Sequence, residues 1–182
     1  TMFLSVSLFI VYLPYWLEQT LNATPNAIAT LFMVGGVANV LTGPQAGKLS
    51  DRIGRKRIII LSCVGMSLVM LMTTVVIREF WIAYILYFVT MILVAMRISP
   101  FSALLTALVN DERRGALMSF TVALGQAGFA LGAAVAGPLY THLGYGSNTV
   151  MAAGSVLITA VIVTYWMPEP DSQRSEITVP VN

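Results

Sequence analysis

Charge is what this sequence has least of: only 10 % of its 182 residues are Asp, Glu, Lys or Arg, well under the roughly 25 % of a soluble domain. Too little polar surface is left to coat a water-soluble fold of this length, and the 57 % hydrophobic content points the same way. A single cysteine, Cys63, excludes an internal disulfide and offers no metal cluster. A single histidine, His142, has neither a carboxylate pair nor a cysteine near it in sequence, so a metal site or a histidine base is not expected. We therefore expect no enzyme and no cofactor. Nucleic-acid binding is not expected either, since no domain stands outside the apolar segments to carry a groove.

What the sequence has instead is long apolar runs. Met2 to Leu17 is uncharged for sixteen residues, which covers about 24 Å as helix, somewhat short of the roughly 30 Å hydrocarbon layer. Five further spans are expected at about 27–46, 58–77, 81–109, 116–140 and 149–166, with a polar tail over 168–182. Glu18 to Asn26 reads as the first loop, and Arg78-Glu79 as a turn short enough to set the third and fourth spans antiparallel. The runs lack the alternation of membrane strands. The expected fold class is an all-α, six-helix transmembrane bundle. Helix contacts are expected along Gly125, Gly128, Gly132 and Ala136 of the fifth span and along Gly35, Asn39, Thr42 and Ala46 of the second, because small side chains let helices pack closely in lipid.

The few charges are unevenly placed. If the first span starts in the cytoplasm, that side holds Lys48, Arg52, Arg55, Lys56, Arg57, Arg113, Arg114 and Arg174, and the other side holds only Arg78. This eight-to-one bias predicts that both termini are cytoplasmic. No Asp or Glu lies in the middle of a span, so no proton-carrying carboxylate is evident.

The densest charge lies in Gly47-Lys48-Leu49-Ser50-Asp51-Arg52-Ile53-Gly54-Arg55-Lys56-Arg57, read as a turn between the second and third spans. Gly47 and Gly54 permit close backbone approach, and Arg52, Arg55 and Lys56 can pair with Asp51 or Asp111 or meet anionic lipid heads. This G-x-L-x-D-R-x-G-R-K pattern, in the loop joining helices two and three of a six-helix unit, resembles the signature of the major facilitator superfamily. The likeness extends to Asp111-Glu112-Arg113-Arg114-Gly115 before the fifth span and to Gly137-Pro138 at its end.

The resemblance implies one six-helix half of a twelve-helix secondary carrier that moves a small solute by alternating access across the bacterial inner (plasma) membrane, and the brief tail with no long cationic linker makes the C-terminal half the expected one. Its partners would be the small-molecule substrate, membrane lipid, and a second six-helix half or a second copy of the chain. It also implies that Gly47, Asp51, Arg52, Gly54, Arg55 and Lys56 form a conformational latch; the alternative is a purely topogenic cationic loop. The alternative from another class is a non-transporting membrane scaffold subunit.

Arg97 lies some seventeen residues into the fourth span, where a charge is costly unless it meets water, a partner or a ligand. It reads either as a cavity residue for an anionic or polar substrate or as the partner of Glu18 or of a helix C-terminal carbonyl. The glycine pattern that the family sets around a fourth-helix arginine is missing from Arg97-Ile98-Ser99-Pro100. The resemblance places the first and fourth helices on the central cavity, adding Tyr12, Tyr87 and Thr90 as candidate lining residues. Trp16 and Trp81 read as interfacial anchors.

Overall fold

A computed structural model describes residues 1–107 and 111–166, all helix and short connections. The helices are α1 (Met2–Ile10), α2 (Leu13–Leu21), α3 (Pro25–Ile53), α4 (Arg55–Val76), α5 (Phe80–Ala107), α6 (Asp111–Leu143) and α7 (Tyr145–Trp166). Among the described residues, six stretches are long and apolar enough to cross a membrane, α1 and α2 counting together as Met2–Leu21. The tail at 168–182 lies outside the described residues.

The first span differs from the continuous run expected. It breaks at Val11 and Tyr12, and Pro14 then sits in the first turn of α2, where its missing N–H costs nothing. The helix resumes to Leu21 and stops at Asn22, whose φ of +50° leaves the right-handed region. Glu18 to Leu21, read as loop, is therefore helical. Thr24 caps α3 by accepting from the Ala27 N–H at 3.3 Å.

The cationic segment also differs. Gly47 to Ile53 continues α3, and the only non-helical residue before α4 is Gly54, with φ +105° and ψ +129°. That conformation is open to glycine and strained for a residue with a Cβ. At 29 residues α3 is about 44 Å long, longer than the hydrocarbon layer is thick, so its charged last turns are expected in the head-group region. Asp111 to Gly115, read as a turn, opens α6 as helix, and His142 lies in the last turn of α6, exposed.

The packing has an internal order that the linear pattern does not show. α3 crosses α5 as α1 crosses α6, α4 meets α5 as α7 meets α1, and α4 packs on α7 at the centre. Exchanging the first three spans for the last three maps each of these contacts onto its counterpart. The two triplets run in opposite senses across the bundle, the arrangement of inverted-topology repeats.

Small residues line the crossings. A Cβ on Gly132 would meet the Leu4 carbonyl oxygen at 2.7 Å and would run into the Ser7 hydroxyl; one on Gly125 would meet Phe3 Cε2 at 2.9 Å. Ala136, on the same face, is fully buried. On α3 the buried stripe is Leu31, Gly35, Ala38, Ala46 and Ser50, with Asn39 and Thr42 half-buried beside it. Most large apolar side chains outside these seams, including Val40, Leu61, Val75, Ile85 and Leu131, point outward and are exposed. A water-facing surface of that kind would be untenable, and a lipid-facing one is expected.

Candidate functional site

The fourth span brings a cation into the middle of this packing. Arg97 lies seventeen residues after Phe80, about 26 Å from one end of α5 and about 15 Å from the other. Its side chain is 1 % exposed, the largest fully buried side chain of the described residues. Its guanidinium lies beside the Cys63 thiol of α4. Nε and Nη1 have no hydrogen-bond partner, so a charged group is held in a low-dielectric interior with donors unspent, a costly state.

Among the described residues, neither Glu18 nor a helix C-terminal carbonyl partners Nε or Nη1. Glu18 is exposed on α2, and the one ion pair among the described residues joins Arg55 to Asp51. The Cys63 neighbour was legible in principle. The turn at Arg78-Glu79 makes α4 and α5 an antiparallel hairpin, and Cys63 and Arg97 count back from it to similar depth.

Arg97 also lines a cavity of about 480 Å³ between α1, α5 and α6. Its walls are mainly Phe3, Val6, Val94, Phe101, Met118 and Phe129, with Ser102, Thr121 and Gln126 as neutral polar groups. A second cavity of about 460 Å³ between α1, α6 and α7 shares Met2, Phe3, Phe101 and Thr121 with it. The aromatic and amide lining from α1 and α6 escaped sequence reading, because no single run of residues marks which faces of three helices converge.

The other candidate lining residues do not join Arg97. Tyr87 is 5 % exposed and packs edge-on against Phe32, its ring filling the notch over Gly35. The Thr90 hydroxyl donates to the Leu86 carbonyl in its own helix at 2.8 Å and is fully buried. Tyr12 stands at the break between α1 and α2, stacked on Tyr140 at 5.1 Å between ring centroids. Around it Tyr15 meets Tyr140 edge-on, Trp16 stacks on Tyr145 at 4.9 Å, and the buried Tyr145 hydroxyl donates to the Phe9 carbonyl at 2.7 Å. Trp16 is thus packed inside an aromatic cluster, while Trp81 is 78 % exposed as an interfacial side chain would be.

At the charged end, Arg55 bridges three helices. Its Nη2 and Nε donate to Asp51 Oδ1 at 3.1 and 3.3 Å across the Gly54 break, and its Nη1 donates to the Ala103 carbonyl of α5 at 3.4 Å. Gly47 admits α5 closely, since a Cβ there would lie 3.3 Å from Ser99 Oγ. Arg52 is exposed and Lys56 half-buried, and neither joins an ion pair among the described residues. The side chains of Asp111 and Glu112 lie outside the described residues. Nor do any three His, Cys, Asp or Glu gather as a metal site among the described residues.

Two comparisons bear on this architecture. A family model described as Major Facilitator Superfamily matches residues 1–179. The chain is also similar to YfiS, an uncharacterized MFS-type transporter of Bacillus subtilis (strain 168), with 26 % identity over 145 residues, 80 % of this chain and 34 % of that protein. It spans about a third of that relative's length. With the six-helix bundle and the match across nearly all of its residues, this multi-pass membrane chain belongs to the major facilitator superfamily.

Proposed function

We propose that the chain is one half of a secondary carrier that moves a small anionic or polar solute by alternating access, with Arg97 on the solute path. The observation that carries this reading is the buried Arg97 side chain on the wall of a cavity between α1, α5 and α6, with two guanidinium nitrogens that have no hydrogen-bond partner. A purely structural arginine would spend its donors on protein acceptors. Arg97 lines a space large enough for a small ligand, and Nε and Nη1, sealed from that space in this conformation, become available to a ligand once the side chain turns. The transporting unit is this half joined to a second six-helix half or to a second copy of the chain, and both termini face the cytoplasm.

The segment around Gly54 supplies a device for switching. Arg55 links the end of α3, the start of α4 and the backbone of α5 through exposed or half-buried bonds, which are weak enough to break within a transport cycle. In this reading Gly47, Asp51, Arg52, Gly54, Arg55 and Lys56 act as the latch, and Arg52 and Lys56 are free to meet lipid head groups or the second half.

Flux in proteoliposomes, with this half in its transporting unit, tests the proposal: solute should exchange down an imposed gradient, and Arg97→Gln should abolish exchange at matched abundance. Undiminished exchange in that variant overturns the role of Arg97. In a Cys63→Ser background, cysteine at Ser50 should resist an impermeant thiol reagent in intact cells and cysteine at Asn22 should react; the reverse pattern overturns the orientation.

A further inference from the structure

Resting on that reading, we infer that the Arg97 cavity takes an amphipathic anion: one carboxylate-like head on a compact apolar body. The head follows from the guanidinium. Two of its three nitrogens have no partner, its neighbour is an uncharged-type thiol side chain, and the described acidic residues, Glu18, Asp51 and Glu79, are all exposed. Nε and Nη1 are sealed from the cavity in this conformation; an anionic head against the Arg97 part of the wall would draw the guanidinium round, accept charge-assisted hydrogen bonds from it and remove the cost of an isolated buried charge.

The body follows from the walls. Phe3, Val6, Val94, Phe101 and Phe129 line the 480 Å³ and offer no side-chain hydrogen bond. A sugar or polyol would lose most of its water contacts there and recover few. A second charge of either sign would stand unpaired, since the remaining polar lining, Ser102, Thr121 and Gln126, is neutral. A compact ring system fits the volume better than the paired acyl chains of a phospholipid.

The test uses the full chain in phosphatidylcholine nanodiscs and three probes of one shape: 1-naphthoate, 1-naphthalenemethanol and 1-naphthylmethylammonium. Naphthoate should bind saturably, and the alcohol and the ammonium at least about tenfold more weakly, as befits loss of a charge-assisted bond. Arg97→Gln should weaken naphthoate by about 10- to 100-fold and leave the alcohol unchanged. Arg97→Lys, which keeps the charge in place if the glutamine variant does not fold, should lose less than about tenfold.

Equal affinity for acid and alcohol, a preference for the ammonium, or unchanged naphthoate binding in monodisperse Arg97→Gln overturns the inference. Adding phosphatidylglycerol separates the two anion sources. An Arg97-dependent fall in naphthoate affinity beyond roughly tenfold, more than a surface potential produces, means that lipid fills the site and overturns the solute assignment. Smaller changes support it. Naphthoate binding without naphthoate flux leaves this inference standing and removes the carrier reading. Flux of a sugar or a cation without naphthoate binding does the reverse.

Discussion

The crossings of α1 on α6 and of α3 on α5 hold matching places in the two halves of the internal repeat, yet they use glycine differently. At the first, Gly132 receives backbone: the Leu4 carbonyl would lie 2.7 Å from a Cβ there. At the second, Gly35 receives a ring, since Tyr87 Cδ1 and Met91 Cγ would lie 2.8 and 2.9 Å away. Backbone in a packed helix cannot move aside without moving the helix, whereas a side chain can be shortened. Two contacts equivalent in topology therefore differ in how they can be repaired. In lipid, where apolar surface gives helices little reason to prefer one another, such close approaches decide the packing.

Gly132→Val should have the largest effect, since overpacking costs about 1–3 kcal/mol or more and no single partner change relieves a backbone clash. Folded yield and thermal midpoint in detergent should collapse, with or without Ser7→Ala. Near-normal yield in the single variant would show that α1 and α6 are less closely held than the Gly132 geometry implies. Gly35→Ala should also destabilise, but Tyr87→Leu should restore part of the loss, with a coupling of about 0.5–3 kcal/mol. Additive losses in that pair would erase the distinction between the two crossings.

Gly54→Ala tests a connection outside both crossings. The φ of +105° there makes a side chain cost about 1–3 kcal/mol, and the melting midpoint should fall without loss of insertion. Asp51→Ala should have the smallest effect on stability, within about 1 kcal/mol, because its carboxylate is 62 % exposed. Exchange rate should nevertheless drop in that variant if the Asp51–Arg55 pair works as a latch. Full transport at matched abundance would leave the pair as solvation of the helix ends.

Much of this was legible from residue order. Six apolar runs require helices because backbone polar groups in lipid must be satisfied within a segment. The glycine spacing of Gly125, Gly128 and Gly132 announced a close-packed face, and the depth of Arg97 announced a charge in need of company. Less legible were the break at Val11-Tyr12 and the continuation of α3 to Ile53. Pro14 is the one mark of the break inside an otherwise uniform apolar run, easily passed over when the run is read by hydropathy, and a charged stretch beyond the hydrocarbon can stay helical as readily as it can turn.

Composition and periodicity by themselves determined that the chain crosses a membrane six times, since burial in lipid depends on local hydrophobicity and segment length. The motif of Gly47 to Lys56 added the family likeness. Only the tertiary structure decided that Tyr87 and Thr90 pack within helix seams, that Tyr12 joins an aromatic cluster, and that Arg97 lines a cavity with no acid beside it among the described residues. Side-chain direction depends on which helix faces meet, and that is set by shape complementarity between segments far apart in sequence.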